Sequence, residues 1–285
     1  MAKDIIPKQK QTEKEMPFFD HLEELRWHLV RSSIALVSFA ILVFIFKDFV
    51  FTHVIFSIQD KSFPTYRFFC YMSPLTCMEP SELDINTVQL GERFFTHLRV
   101  SFWLGFIMSF PYIFWEFWRF ISPGLYSNER KAAKGIVFSC STLFLLGVLF
   151  GYFIIAPFGF KFLGGYTLSE QDIVSPTTTL SSFVGYLTNF TIPTGLVFQL
   201  PIVVFFLARI GLVTPEVMKK YRRHAIVIIM LFSAIITPPD MVTQILIGIP
   251  IFFLYELSII ICRSCLLYTS PSPRDATLSR MPSSA

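Results

Sequence analysis

Gly135–Pro157 reads GIVFSCSTLFLLGVLFGYFIIAP, a run of 23 residues without one charged side chain. A helix needs about 20 apolar residues to cross the ~30 Å hydrocarbon core of a bilayer. A soluble core also buries apolar helices, but not in uninterrupted runs of this length. Working outward, further runs cover about Leu29–Phe46, Phe94–Phe117, Phe183–Ala208, Ala225–Ile236 and Val242–Ile261. The expected fold class is all-α: a polytopic membrane protein with six transmembrane helices. The fifth run has only about twelve strongly apolar residues. It suits a re-entrant segment or buried helix, or a span that needs bilayer thinning and snorkelling flanks.

Composition agrees. The 285 residues are 53% hydrophobic and 15% charged, against roughly 25% charged in an average soluble domain. Phe alone contributes 34 residues, which suits lipid-facing helix surfaces. The first apolar run follows a long polar stretch, and no short apolar core with a small-residue cleavage site precedes it. The first span is therefore expected to stay in the mature protein. Outside the spans, no run combines basic and aromatic residues in a way that suggests nucleic acid.

The distribution of positive charge sets the expected orientation. Of 24 Lys and Arg, only Lys47, Lys61, Arg67, Arg93, Arg99 and Lys161 fall on one side of six spans. The rest share the side of both termini, which are expected to be cytoplasmic, as for a multi-pass protein of the bacterial inner membrane. The even span number and the charge bias agree, which supports counting the fifth run.

The chain divides into 1–15, 16–263 and 264–285, and three segments lie outside the bundle: 1–15, 48–92 and 264–285. Residues 1–15 are charged and expected to be disordered. Residues 48–92 form the longest external loop, where Pro64, Pro74 and Pro80 argue against one continuous helix. From about Ser264 the composition turns abruptly to Ser, Pro and Thr. That tail reads as disordered or as an assembly artefact and carries no functional reading. Of five cysteines, Cys70 and Cys77 lie in the external loop, where a disulfide is permitted but not set by spacing. Cys140 and Cys262 sit in apolar runs and read as packing residues.

Two stretches at the membrane rim carry candidate chemistry. In Phe18-Phe19-Asp20-His21-Leu22-Glu23-Glu24-Leu25-Arg26, the residues Phe18, Leu22, Leu25 and Leu29 recur at helical spacing. This is an interfacial amphipathic helix leading into the first span, with Glu24 either solvated or held as a docking carboxylate for a cationic partner. In Trp115-Glu116-Phe117-Trp118-Arg119-Phe120-Ile121-Ser122-Pro123-Gly124-Leu125-Tyr126-Ser127-Asn128-Glu129-Arg130-Lys131, one helix ends in a Pro-Gly turn and another begins near Asn128. The bland reading is a connector with interfacial Trp and a helix-start Glu129. The functional one is a patch whose carboxylates bind guanidinium groups while Phe120 packs an apolar neighbour.

Within the spans, Gln199 lies between Pro193 and Pro201, and Glu256 lies in the sixth run. Intramembrane polar residues are functional candidates by default, although interhelical hydrogen bonding, about 0.6 kcal/mol each, explains them as well. Thr237-Pro238-Pro239-Asp240 joins the last two spans, with Asp240 suited to capping. Enzyme signatures are missing: no His-Glu-x-x-His, no Gly-x-Ser-x-Gly elbow, no Walker-type loop. No enzyme activity, cofactor or metal is expected.

At these residues the chain resembles the TatC family, the multi-spanning component of the twin-arginine translocase. The matches are His21–Arg26, Phe120–Tyr126 with Glu129-Arg130, Thr237–Asp240 with Gln244, and Tyr255-Glu256. Order, spacing and topology agree over about residues 16–263. The resemblance implies export of folded proteins whose signal peptides carry consecutive arginines, driven by the proton-motive force without nucleotide. Glu24 and Glu129 match the family's two glutamates of the twin-arginine site, Phe120 would meet the apolar part of the signal peptide, and Arg26, Pro123, Leu125 and Tyr126 complete the patch. Implied partners are the signal peptides, single-span subunits of the TatA/TatB type along spans four to six, and further copies of the chain. Two departures stand out. Gln199 replaces a glutamate common in the family and could bond a partner's helix, and Glu116 stands where a neutral residue is usual, adding a third carboxylate. The alternative is a secondary transporter of a small solute, with Gln199 and Glu256 lining a path; symmetric broken helices would favour it.

Overall fold

The computed structural model describes residues 18–72, 77, 79–80, 83–122, 135–165, 177–209, 211–236 and 241–267. Residues 1–17 and the tail beyond Leu267 lie outside this set. So do Pro123, Leu125, Tyr126, Glu129 and Asp240.

Helix α1 (Phe18–Ile45) is followed by two short helices, α2 (Lys47–Val50) and α3 (Pro64–Met72). Next come α4 (Glu92–Ile121), α5 (Ile136–Phe150) and α6 (Ala156–Gly165), the last two joined by a π turn, Gly151–Ile155. The chain closes with α7 (Leu180–Val197), α8 (Leu200–Arg209), α9 (Pro215–Lys220), α10 (Arg222–Ile236) and α11 (Met241–Leu267). Five helical stretches are long and apolar enough to cross a membrane: Glu23–Ile45, Glu92–Ile121, Ile136–Gly165, Leu180–Ala208 and Gln244–Arg263. The sixth crossing is α10, whose 15 residues reach about 22 Å at 1.5 Å each. It runs antiparallel to α11: Arg222 at its start meets Glu256, while Gln244, near the start of α11, donates to the Met230 carbonyl at 2.9 Å.

The fourth span is not one continuous helix as its sequence predicts. It breaks at Phe198–Gln199 between α7 and α8. Pro201 has no N–H to offer the Val197 carbonyl, and its ring clashes with that turn, so α7 ends there. Pro193 sits inside α7 without breaking it. Neighbouring helices supply the packing that holds the two pieces in line.

Helix α1 packs along α4 and is otherwise at the edge of the bundle, with most of its apolar side chains exposed. The α1–α4 approach is set by small residues: a Cβ on Gly105 would lie 2.7 Å from the Ala40 backbone nitrogen. Close backbone approach of this kind drives helix association where burial from water does not. Gly105→Val should therefore force the two helices apart and cost about 1–3 kcal/mol, the usual range for overpacking. A lowered thermal midpoint in detergent, against an unchanged Gly165→Val control with open space at its Cβ, checks this. On the other side, α5 packs against α4 and α7, and Phe110 stacks on Phe144 with ring centroids 3.6 Å apart.

At the end away from the termini the external loop folds into a cap. After α2 it continues through a π turn (Phe51–Ile55) and a 3-10 turn (Phe56–Gln59) into α3. Cys70 and Cys77 are joined by a disulfide. Tyr152, turned outward by the π turn in the third span, donates to the Val54 carbonyl at 2.5 Å and bonds Ser57 at 2.9 Å. Thr65 donates to the Phe153 carbonyl. Burial pushes the Tyr66 hydroxyl up to about 12, so it stays protonated and donates to the Ile58 carbonyl at 3.2 Å. Two three-residue strands, β1 (Asp84–Asn86) and β2 (Thr177–Thr179), pair in parallel with Asp84 opposite Thr177. This short pairing is a local feature of the cap in an otherwise helical chain. Just below them the buried Glu92 carboxylate accepts from the backbone N–H groups of Val88, Gln89 and Ser181 at 2.9, 3.3 and 2.8 Å. One side chain thus ties the start of α4 to the start of α7.

Candidate functional site

Glu24, His28 and Arg31 recur at i, i+4 and i+7 on one face of α1. Tyr112, Glu116 and Phe120 recur at i, i+4 and i+8 on α4, which runs the other way. The two stripes meet. His28 Nδ1 lies 2.5 Å from Glu116 Oε2, Tyr112 donates its hydroxyl to Oε1 at 3.1 Å, and Arg31 stands 4.0 Å from Oε2. Glu116 is 1% exposed and His28 14% exposed, whereas Arg31 is open at 46%. The His28 ring meets Phe120 edge-on at 6.0 Å. A buried carboxylate survives in this position only because its lone pairs are taken up.

One turn nearer the chain's start than His28, Glu24 is half-buried and Arg26 exposed. Its spacing places it beside the end of α4, from which the segment carrying Glu129 continues. Glu24 and Phe120 are thus brought to one rim. Glu129, Pro123, Leu125 and Tyr126 lie outside the described residues. Around the rim, Arg119 sits over the Trp115 ring at 5.8 Å, and Trp118 packs on Phe206 of α8. Glu116, expected as a third carboxylate of the docking patch, is buried between α1 and α4, where it bonds His28 and Tyr112. Its partners His28 and Tyr112 were missed from sequence. The signal was there in the spacing: His28 shares the Glu24 face, and Glu116 is the one carboxylate in the second half of α4.

The intramembrane polar residues are also committed internally. Gln199, at the α7–α8 break, donates through Nε2 to the Cys140 carbonyl at 3.0 Å, and its Oε1 accepts from Cys140 Sγ at 2.8 Å. A partner helix reaches this amide only by displacing those bonds. Glu256, in the second half of α11, pairs with Arg222 at the start of α10 at 2.6 Å and is 29% exposed. Beside it Tyr255 donates to the Met218 carbonyl of α9 at 2.8 Å. Gln199 and Glu256 therefore bind separate neighbours and do not line one path. Asp240 lies outside the described residues. Among the described residues no three His, Cys, Asp or Glu side chains cluster to hold a metal ion.

Fold and site together define a polytopic helical membrane protein with a charged, aromatic rim where α1 meets α4. The family model described as "Sec-independent protein translocase protein (TatC)" matches residues 20–250. A Blattabacterium protein named Sec-independent protein translocase protein TatC is 37% identical, over 88% of this chain and 97% of its own length. The Campylobacter jejuni protein of the same name is 36% identical, over 89% and 97%. A crystal structure titled as the twin arginine translocase receptor TatC superposes with a TM-score of 0.66 at 33% identity, covering 86% of this chain and 99% of that one. The chain belongs to the TatC family.

Proposed function

We propose that this chain is the signal-peptide receptor and multi-spanning core of a twin-arginine translocase in the bacterial inner membrane, with both termini cytoplasmic. It is a component of a protein translocase rather than an enzyme. The observation that carries the reading is the His28–Glu116 brace, which fixes the first turns of α1 against the last turn of α4. Glu24 and Phe120 then share one rim, and the segment with Glu129 begins there. A carboxylate takes a guanidinium through two parallel bonds, and lysine cannot reproduce that fork. Glu24 and Glu129 bind the two arginines, and Phe120, half-buried beside His28, meets the apolar stretch that follows them. Arg26, Pro123, Leu125 and Tyr126 shape the edges of the patch.

TatA/TatB-type single-span subunits pack along spans four to six, where α10 and α11 expose Ile228, Leu231, Ile235, Ile249 and Phe253. Further copies of the chain complete the receptor complex, and the proton-motive force drives transport. The direct test is photo-crosslinking of a twin-arginine precursor carrying a probe beside its arginine pair, in membranes containing this chain. Adducts that vanish when the arginines become lysines support the receptor. Arginine-independent labelling of the folded chain sinks it.

A further inference from the structure

At the cap end, a cavity of about 670 Å³ opens where α2, β1 and the first turns of α4 converge. Its volume falls in the range of small-ligand sites, ~300–1,000 Å³. Lys47, Asp48, Asp84, Arg93 and His97 line it. The four charged side chains are exposed, and among the described residues none closes an ion pair. His97 stacks on Phe44 at 4.0 Å and meets Phe51 edge-on at 5.8 Å. Its Nε2 is buried, so the imidazole packs as part of the aromatic wall.

We propose that this cavity binds the headgroup of a phospholipid carrying both a phosphate and a primary ammonium, as in phosphatidylethanolamine. Two cations and two carboxylates on the walls of one cavity match a zwitterion. Arg93 and Lys47 take the phosphate through charge-assisted bonds. Asp48 and Asp84 accept from the ammonium. Asp84 is held in place by β1, which pairs with β2. Phe51, Phe56 and Phe94 supply an apolar wall for the glycerol and first methylenes. Below the cavity, Ile41 and Ile45 of α1 and Leu98 of α4 are exposed and offer a surface for the acyl chains. A purely anionic headgroup leaves both aspartates unsatisfied. A choline headgroup has no N–H to give them.

The test is native mass spectrometry of the full chain released from nanodiscs of phosphatidylethanolamine, phosphatidylcholine or phosphatidylglycerol. One phosphatidylethanolamine should be retained roughly ten-fold better than either other lipid. Asp48→Asn with Asp84→Asn should erase that preference while leaving phosphatidylglycerol retention intact or raised. Lys47→Gln with Arg93→Gln should weaken all three. These side chains are exposed, and an unchanged thermal midpoint confirms each variant's fold. Equal retention of the three lipids by the parent, or a preference that survives the double aspartate change, overturns the proposal. Displacement of the lipid by soluble glycerophosphoethanolamine at matched concentration also overturns it, in favour of a soluble zwitterion. The proposal does not depend on the receptor reading, and failure of either leaves the other standing.

Discussion

A Glu24→Ala, Glu129→Ala variant will bind an Arg-Arg signal peptide about 100-fold more weakly than the parent, with each single variant between. A hydrogen bond to a charged group contributes roughly 1.5–3 kcal/mol, and a fully exposed pair typically less than 1. Glu24 is half-buried, which sets its share at about 1.5 kcal/mol; an equal share for Glu129 brings the pair to about 3, or some two orders of magnitude in Kd. Fluorescence anisotropy of a labelled peptide on the detergent-solubilised chain reads this directly. Replacing the peptide's arginines by lysines should cost the parent a similar factor and the double variant little more, because the fork has no partner left. Rising salt should weaken the parent complex, since the rim faces water and screening acts within ~10 Å at 0.1 M. Undiminished affinity in a folded double variant removes Glu24 and Glu129 from the site.

The spans were legible because a bilayer demands length and apolarity together, and Gly135–Pro157 supplies both. Less legible were the places where tertiary contacts choose among equal local options. Pro193 and Pro201 carry the same helix-breaking signal, yet only Pro201 breaks the span. Residues Asp84–Asn86 and Thr177–Thr179 are too short to announce strands, and their pairing joins segments some ninety positions apart. Nothing local to Glu92 announces its role, which depends on Ser181 arriving from another span. Glu256 read as an intramembrane polar residue of the sixth run, and only the register of α11 against α10 shows that its partner is Arg222.

The rim divides in the same way. Glu24 and Phe120 announce themselves by motif, whereas the brace behind them depends on the register of α1 against α4. That register is set where Gly105 lets α4 approach Ala40. A carboxylate on α4 could equally have faced lipid, the rim or a neighbour, and spacing within α4 does not decide among the three. The geometry decides for the neighbour, and Glu116 bonds His28 and Tyr112 within the α1–α4 contact.

His28→Ala will accordingly destabilise the chain by about 3 kcal/mol, the upper end of the ~1–3 kcal/mol range for a buried polar group that loses its partner, because the group left behind is a carboxylate. The Glu116 carboxylate, 1% exposed, would keep only Tyr112 at 3.1 Å and Arg31 at 4.0 Å. Glu116→Gln should be far milder, since an amide of the same shape can still accept from Tyr112 and bond the imidazole. The decisive measurement is the double-mutant cycle on thermal or denaturant midpoints in detergent. In the Glu116→Gln background no charge remains to be stranded, so the further cost of His28→Ala should fall to about 1 kcal/mol, a coupling near 2 kcal/mol. Additive effects would mean that the contact contributes packing alone. The same variants separate support from docking: His28→Ala should weaken peptide binding through a displaced Glu24, and a cross-link restoring the α1–α4 contact should recover it. Glu116→Gln, with the brace still closed, should bind the peptide nearly as the parent does, an outcome that a third docking carboxylate could not give.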